Sequence, residues 1–101
     1  MNLGRLNHFI ALGTSGKTED VDLLMHALVS RDDLATFKLV DYALSHVSTP
    51  EGVERLRHYL FNGARSQRNY AALYFKRRGF SDTLQEALAK GKIDWEQGFA
   101  E

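Results

Sequence analysis

Gly16, Ser48 and Gly79 each close an apolar, helix-patterned segment, and they stand 32 and 31 residues apart. The agreement extends to their neighbours. Ala11-Leu12, Ala43-Leu44 and Tyr74-Phe75 lie five and four residues before them, Val21, Val53 and Leu84 five residues after, and Leu24, Leu56 and Ala87 three further on. A period of about 31 residues holding two helices is the mark of a helical repeat, because a lone hairpin leaves one apolar face bare and the next hairpin covers it. The chain is therefore expected to be all-α, a solenoid of about three helical hairpins with six to seven helices.

Local signals place the helices. Asn2–Leu12 reads as the first, ending near Gly13 and followed by a turn over Thr14–Gly16. Val21, Leu24 and Leu28 make an apolar face on the second, and Ser30–Asp33 turns the chain into a helix over Leu34–Val47, with Phe37, Val40, Ala43, Leu44 and Val47 pointing inward. Thr49-Pro50-Glu51 is a helix start: the Thr49 hydroxyl caps exposed N–H groups, proline suits the first helical position, and a carboxylate suits the positive end. Val53, Leu56, Tyr59 and Leu60 share one face of that helix, and Asn62-Gly63 breaks it. Ser66–Arg78 follows, with Gly79 where a helix end takes a left-handed residue. A further helix, capped by Ser81 or Asp82, carries Leu84, Ala87 and Leu88 and stops at Lys90-Gly91.

The run Arg68-Asn69-Tyr70-Ala71-Ala72-Leu73-Tyr74-Phe75-Lys76-Arg77-Arg78-Gly79 has an arginine, two alanines three and four residues later, an apolar pair at six and seven, and a glycine at eleven. In this it resembles the second helix of short HEAT-like repeats of the phycobilisome-lyase type. The first unit meets the same frame with Arg5, Ala11, Leu12, Gly13 and Gly16; the middle unit departs from it, with Phe37 at the arginine position and Ser45 and Ser48 at the glycines. The resemblance spans roughly residues 3 to 89. It implies a right-handed α-α superhelix, an arginine that fixes the turn between helices, and alanines that let helices approach closely. Some members of that family assist attachment or removal of a bilin chromophore, so an accessory factor of a cofactor- or chromophore-modifying system is one alternative function.

The residues themselves offer little catalytic chemistry. There is no cysteine among the 101 residues, which removes disulfides, thiolate nucleophiles and cysteine-bound zinc. His8, His26, His46 and His58 are never three or four residues apart, and no His-Glu pair occurs. Asp20, Asp22, Asp32 and Asp33 fall at helix starts, where acids are favourable without catalysis. Ser15-Gly16-Lys17-Thr18 matches the end of a phosphate-binding loop, but Ala11 stands where the loop needs its first glycine. No enzyme, metal or cofactor is expected. The apolar stretch near the amino terminus, Phe9–Leu12, is too short for a signal peptide, and no segment is apolar enough to span a membrane, so a cytoplasmic protein is expected.

One electrostatic asymmetry stands out against a formal net charge of zero: residues 55–78 hold seven Arg or Lys and no Asp or Glu. Tyr59, Tyr70 and Tyr74 interleave with these cations. Such a surface suits a protein partner with an acidic face, and the expected contact residues are Arg65, Arg68, Tyr70, Lys76 and Arg77. A nucleic acid is the alternative partner, since cations bind phosphates and aromatics stack on bases. The chain is expected to form one domain, 1–101, in which 91–101 breaks the repeat and caps the array. In that segment Trp95 and Phe99, four residues apart, are expected to press on one surface, or to join two copies into a homodimer.

Overall fold

The structure, a computed structural model, describes residues 3–99, and of Leu3, Gly98 and Phe99 the backbone alone. Seven helices and no strand occur among the described residues: α1 (Leu3–Ser15), α2 (Thr18–Ser30), α3 (Leu34–Leu44), α4 (Pro50–Asn62), α5 (Arg65–Arg77), α6 (Ser81–Ala89) and α7 (Trp95–Phe99). None of them is long and apolar enough to cross a membrane. Two compact units divide the chain between Arg55 and Leu56, within α4.

The first unit packs α1, α2 and α3 against one another. Its core is Val21, Leu24, Met25 and Leu28 from α2 with Val40, Ala43 and Leu44 from α3, and Val47 just beyond, all with at most 3% of their surface exposed. Two helices meet without an intervening side chain. A Cβ on Gly13 of α1 would lie 2.0 Å from the carbonyl oxygen of Ala43 on α3, so only glycine admits that crossing. At the other end of α1, the Arg5 guanidinium donates to the hydroxyl of Thr36 on α3, a side chain with no exposed surface.

The start of α4 is tied to the end of α1 by one hydroxyl. Thr49 Oγ1 donates to the Gly16 carbonyl (2.7 Å) and accepts the Gly52 N–H (3.0 Å), so the expected cap is also a tie between helices. Gly16 turns there with φ of 63°, conformational space that a side chain disfavours. Glu51 accepts from both the amide and the hydroxyl of Thr18 (2.9 Å each), and Asp22 of α2 receives Arg55 of α4 at 2.6 Å.

The second unit holds Leu56 and Leu60 of α4, Ala71, Ala72, Tyr74 and Phe75 of α5, Leu84 and Ala87 of α6, and Ile93 ahead of α7 in its buried set. Gly79 ends α5 with φ of 74°, as its sequence position requires. Arg57 of α4 pairs with Glu86 of α6 and lies 4.7 Å above the Phe61 ring.

Two sequence expectations are corrected. α1 runs on to Ser15 through Gly13, while Asn2 lies outside the described residues. α3 stops at Leu44 rather than Val47: Ser45, His46 and Val47 donate to carbonyls three residues back, a tightened last turn that forms where no glycine is present to reverse the chain. In the segment 91–101 the chain forms one short helix, α7, capped by Asp94.

Glycine inside a helix is ordinarily worth about 0.5–1 kcal/mol less than alanine. At Gly13 the sign should reverse: Gly13→Ala drives a methyl into the Ala43 carbonyl, and urea unfolding should show a loss of about 1–3 kcal/mol. A stabilised variant would show that α1 and α3 do not cross at this point.

Two carboxylates titrate below their ordinary range. Asp33 is held down by the hydroxyl and then the amide of Thr36, which it caps at 2.7 Å, and Glu51 by the amide and then the hydroxyl of Thr18. A lowered folded pKa contributes stability that is complete above the unfolded value and disappears as pH falls through the folded one. The melting temperature should therefore drop on acidification from neutrality through the carboxylate range, and Asp33→Asn with Glu51→Gln should flatten that drop; an unchanged slope would exclude these two groups as its source.

Candidate functional site: a groove between α5 and α7

Three of the seven cations of 55–78 face acids brought from elsewhere in the chain. Arg55 is bound by Asp22, Arg57 by Glu86, and Arg65 lies 3.9 Å from Asp94. Arg78 lies 4.8 Å above the ring of Tyr74. Tyr74 itself is 4% exposed, and burial pushes its phenol above the ordinary range, with Arg78 partly opposing. This tyrosine has no face left to stack on a base, so the interleaved aromatics are reduced to the half-buried Tyr59 and Tyr70.

Three of the five expected contact residues meet in one groove of about 470 Å³. Its α5 wall is Arg65, Asn69, Tyr70, Leu73 and Lys76; its α7 wall is Asp94, Glu96 and Gln97. Arg65, Asn69, Leu73 and Lys76 follow steps of four, four and three, a single stripe along the helix. Arg68 and Arg77 do not line it. Arg77 is exposed at the last position of α5, while Arg68 is half-buried and its Nε lies buried without a hydrogen-bond partner.

α7 is seated on α5 by polar contacts. Asp94 accepts the Gln97 N–H and Gln97 Oε1 accepts the Asp94 N–H, each at 2.8 Å, a reciprocal cap that builds the short helix. Gln97 Nε2 then donates to Asn69 Oδ1 on α5, and Asp94 faces Arg65. Arg65 and Asn69 of the α5 stripe therefore receive α7. Asn69, Leu73, Asp94, Glu96 and Gln97 were not among the expected contact residues; the stripe from Arg65 was open to discovery in the sequence, whereas the opposite wall required knowing that α7 returns to α5.

Trp95 is 63% exposed, and the side chain of Phe99, its expected companion on one surface, lies outside the described residues. Among the described residues Leu23, Val29, Leu34, Tyr42 and Phe80 are the other large apolar side chains with substantial exposure. His26 and His58, which share a repeat position, are both exposed. Among the described residues no three His, Cys, Asp or Glu gather as a metal site.

Trp95 is the single tryptophan and so reports on its own surroundings. Acrylamide should quench its emission, and the spectrum should hold across dilution; a blue shift with rising concentration would instead place Trp95 in an interface between copies. Compared with protein-family models, curated proteins and solved structures, the chain matches none.

Proposed function

We propose that this protein is a non-enzymatic binding module of the HEAT-like kind, which recognises another protein through the α5 side of its helical stack. The observation that carries this is the α5–α7 groove: an open trough, its side chains exposed by 73% at Arg65 and 55% at Asp94, with polar hydrogen-bonding walls over the apolar surface of Tyr70 and Leu73. A trough of this kind offers shape and paired charge to a polypeptide. Support for the repeat architecture comes from the helix starts at residues 3, 34, 65 and 95 and from the way α3 lies on α1 in one unit and α7 on α5 in the other. The resemblance adds the right-handed superhelix.

The expected contact residues divide under this proposal. Arg65, Tyr70 and Lys76 meet the partner in the groove, Arg77 lies past its far end, and Arg68 fixes the turn between helices, as the family arginine does. An acidic partner fits the basic end of α5, where Lys76 and Arg77 fall in the last turn. Nucleic acid is the weaker alternative, because Arg55, Arg57 and Arg65 already face carboxylates and a phosphate backbone would have to displace them.

Wild type and Arg65→Glu/Arg77→Glu, used as baits in native lysate at physiological salt, separate these outcomes. A specific protein retained by wild type and lost by the double variant is the expected result. Capture of nucleic acid with a steep salt dependence, or of nothing sensitive to the substitutions, would overturn the proposal.

A further inference from the structure

Asn62-Gly63 ends α4, and neither residue lines the groove. Asn62 is one of four asparagines and the only one followed by glycine. That pairing carries chemistry of its own. The main-chain nitrogen of the next residue can attack the side-chain amide carbon of an asparagine, and a glycine there has no Cβ to obstruct the approach.

The fold engages both reacting groups elsewhere. The Gly63 N–H donates to the Tyr59 carbonyl at 2.9 Å, and the Asn62 side chain is turned back so that Nδ2 donates to the His58 carbonyl at 3.2 Å. Asn62 is exposed, however, and it is the last residue of α4, where helices open first. The glycine is fixed by packing: a Cβ on Gly63 would lie 2.7 Å from the Tyr59 carbonyl oxygen and 2.9 Å from Gln67 Cβ. Immediately after it, the Ala64 N–H donates to Gln67 Oε1 at 2.8 Å and α5 begins.

We infer that Asn62 is a deamidation site gated by opening of the last turn of α4. When that turn opens, the Gly63 nitrogen bonds to Asn62 Cγ, the Cγ–Nδ2 bond breaks, and the Gly63 proton departs with Nδ2 as ammonia, leaving a succinimide. Water then opens the ring. Attack at Cγ gives aspartate, whereas attack at the Asn62 main-chain carbonyl gives isoaspartate, whose backbone runs through the former side chain and is one carbon longer. Neither step is a redox change, and water is the only co-reactant.

Neither product restores the turn. Both lack the amide that donated to His58, and both set a carboxylate at the negative end of the helix. Isoaspartate also displaces Gly63 from a position with no slack beside Tyr59 and Gln67. Reaction therefore makes a transient opening permanent: the joint between α4 and α5 loosens and the chain gains one negative charge.

The test follows the full chain, folded and in denaturing urea, by tryptic mapping with mass spectrometry, in which peptide 58–65 reports Asn62 and peptide 69–76 reports Asn69. The unfolded chain should convert at Asn62 roughly tenfold faster than the folded one or more, because two hydrogen bonds must break before the folded chain reacts. In urea too dilute to unfold the protein, conversion should follow amide exchange at Gly63 and not at Leu60, which is fully buried. Converted protein should melt at a lower temperature, and Asn62→Gln should show neither the mass gain in peptide 58–65 nor the loss of melting temperature. Equal rates in the folded and unfolded chains would remove the gate. Conversion that tracks exchange at Leu60 would make global unfolding the trigger and overturn the inference, as would conversion of Asn69 as fast as Asn62, or no conversion in the unfolded chain.

Discussion

The first unit depends on a place where side chains are missing. Gly13 lets α1 meet the backbone of α3 at Ala43, and three residues later Gly16 turns the chain so that its carbonyl receives the Thr49 hydroxyl. The same hydroxyl accepts the Gly52 N–H and so starts α4. A Cβ on Gly52 would lie 2.8 Å from the Gly16 carbonyl oxygen and 2.7 Å from Val47 Cγ1, so this junction too is closed to anything larger. Apolar burial around Leu24, Met25 and Val40 provides the drive to pack, but burial is indifferent to register. Small residues and one shared hydroxyl supply the register.

Longer polar links extend the same order. Arg5 reaches Thr36, Thr18 reaches Glu51, and Arg55 reaches Asp22, across 31 to 33 residues of chain. In the second unit Arg57 reaches Glu86 and Gln97 reaches Asn69. Each link joins a helix to the one two places along. Most are at least partly exposed, so each contributes modestly to stability. Their greater effect is on geometry, because a charged donor anchored to a particular acceptor resists sliding of one helix along another.

That arrangement also explains why the groove has the character it does. Seven cations without an acid between residues 55 and 78 describe a basic surface only while the chain is read as a line. Folding brings Asp22, Glu86 and Asp94 to Arg55, Arg57 and Arg65. The groove between α5 and α7 is therefore lined by charges of both signs, Arg65 and Lys76 on one wall and Asp94 and Glu96 on the other.

By itself the sequence determined the helices and much of the core. Thr49 as a cap, Gly79 as a stop, and Leu24, Leu56 and Ala87 as buried positions were legible because capping, chain reversal and helical periodicity involve residues within a few places of one another. The early end of α3 was hidden, since Ser45 and Ser48 do not reveal how the chain tightens without a glycine. The return of α7 to α5, the exposure of Trp95 and the pairing of the basic run were decided only by tertiary structure. Each of those depends on residues nearly thirty or more places apart, and no local propensity reports which distant carboxylate will lie beside a given arginine.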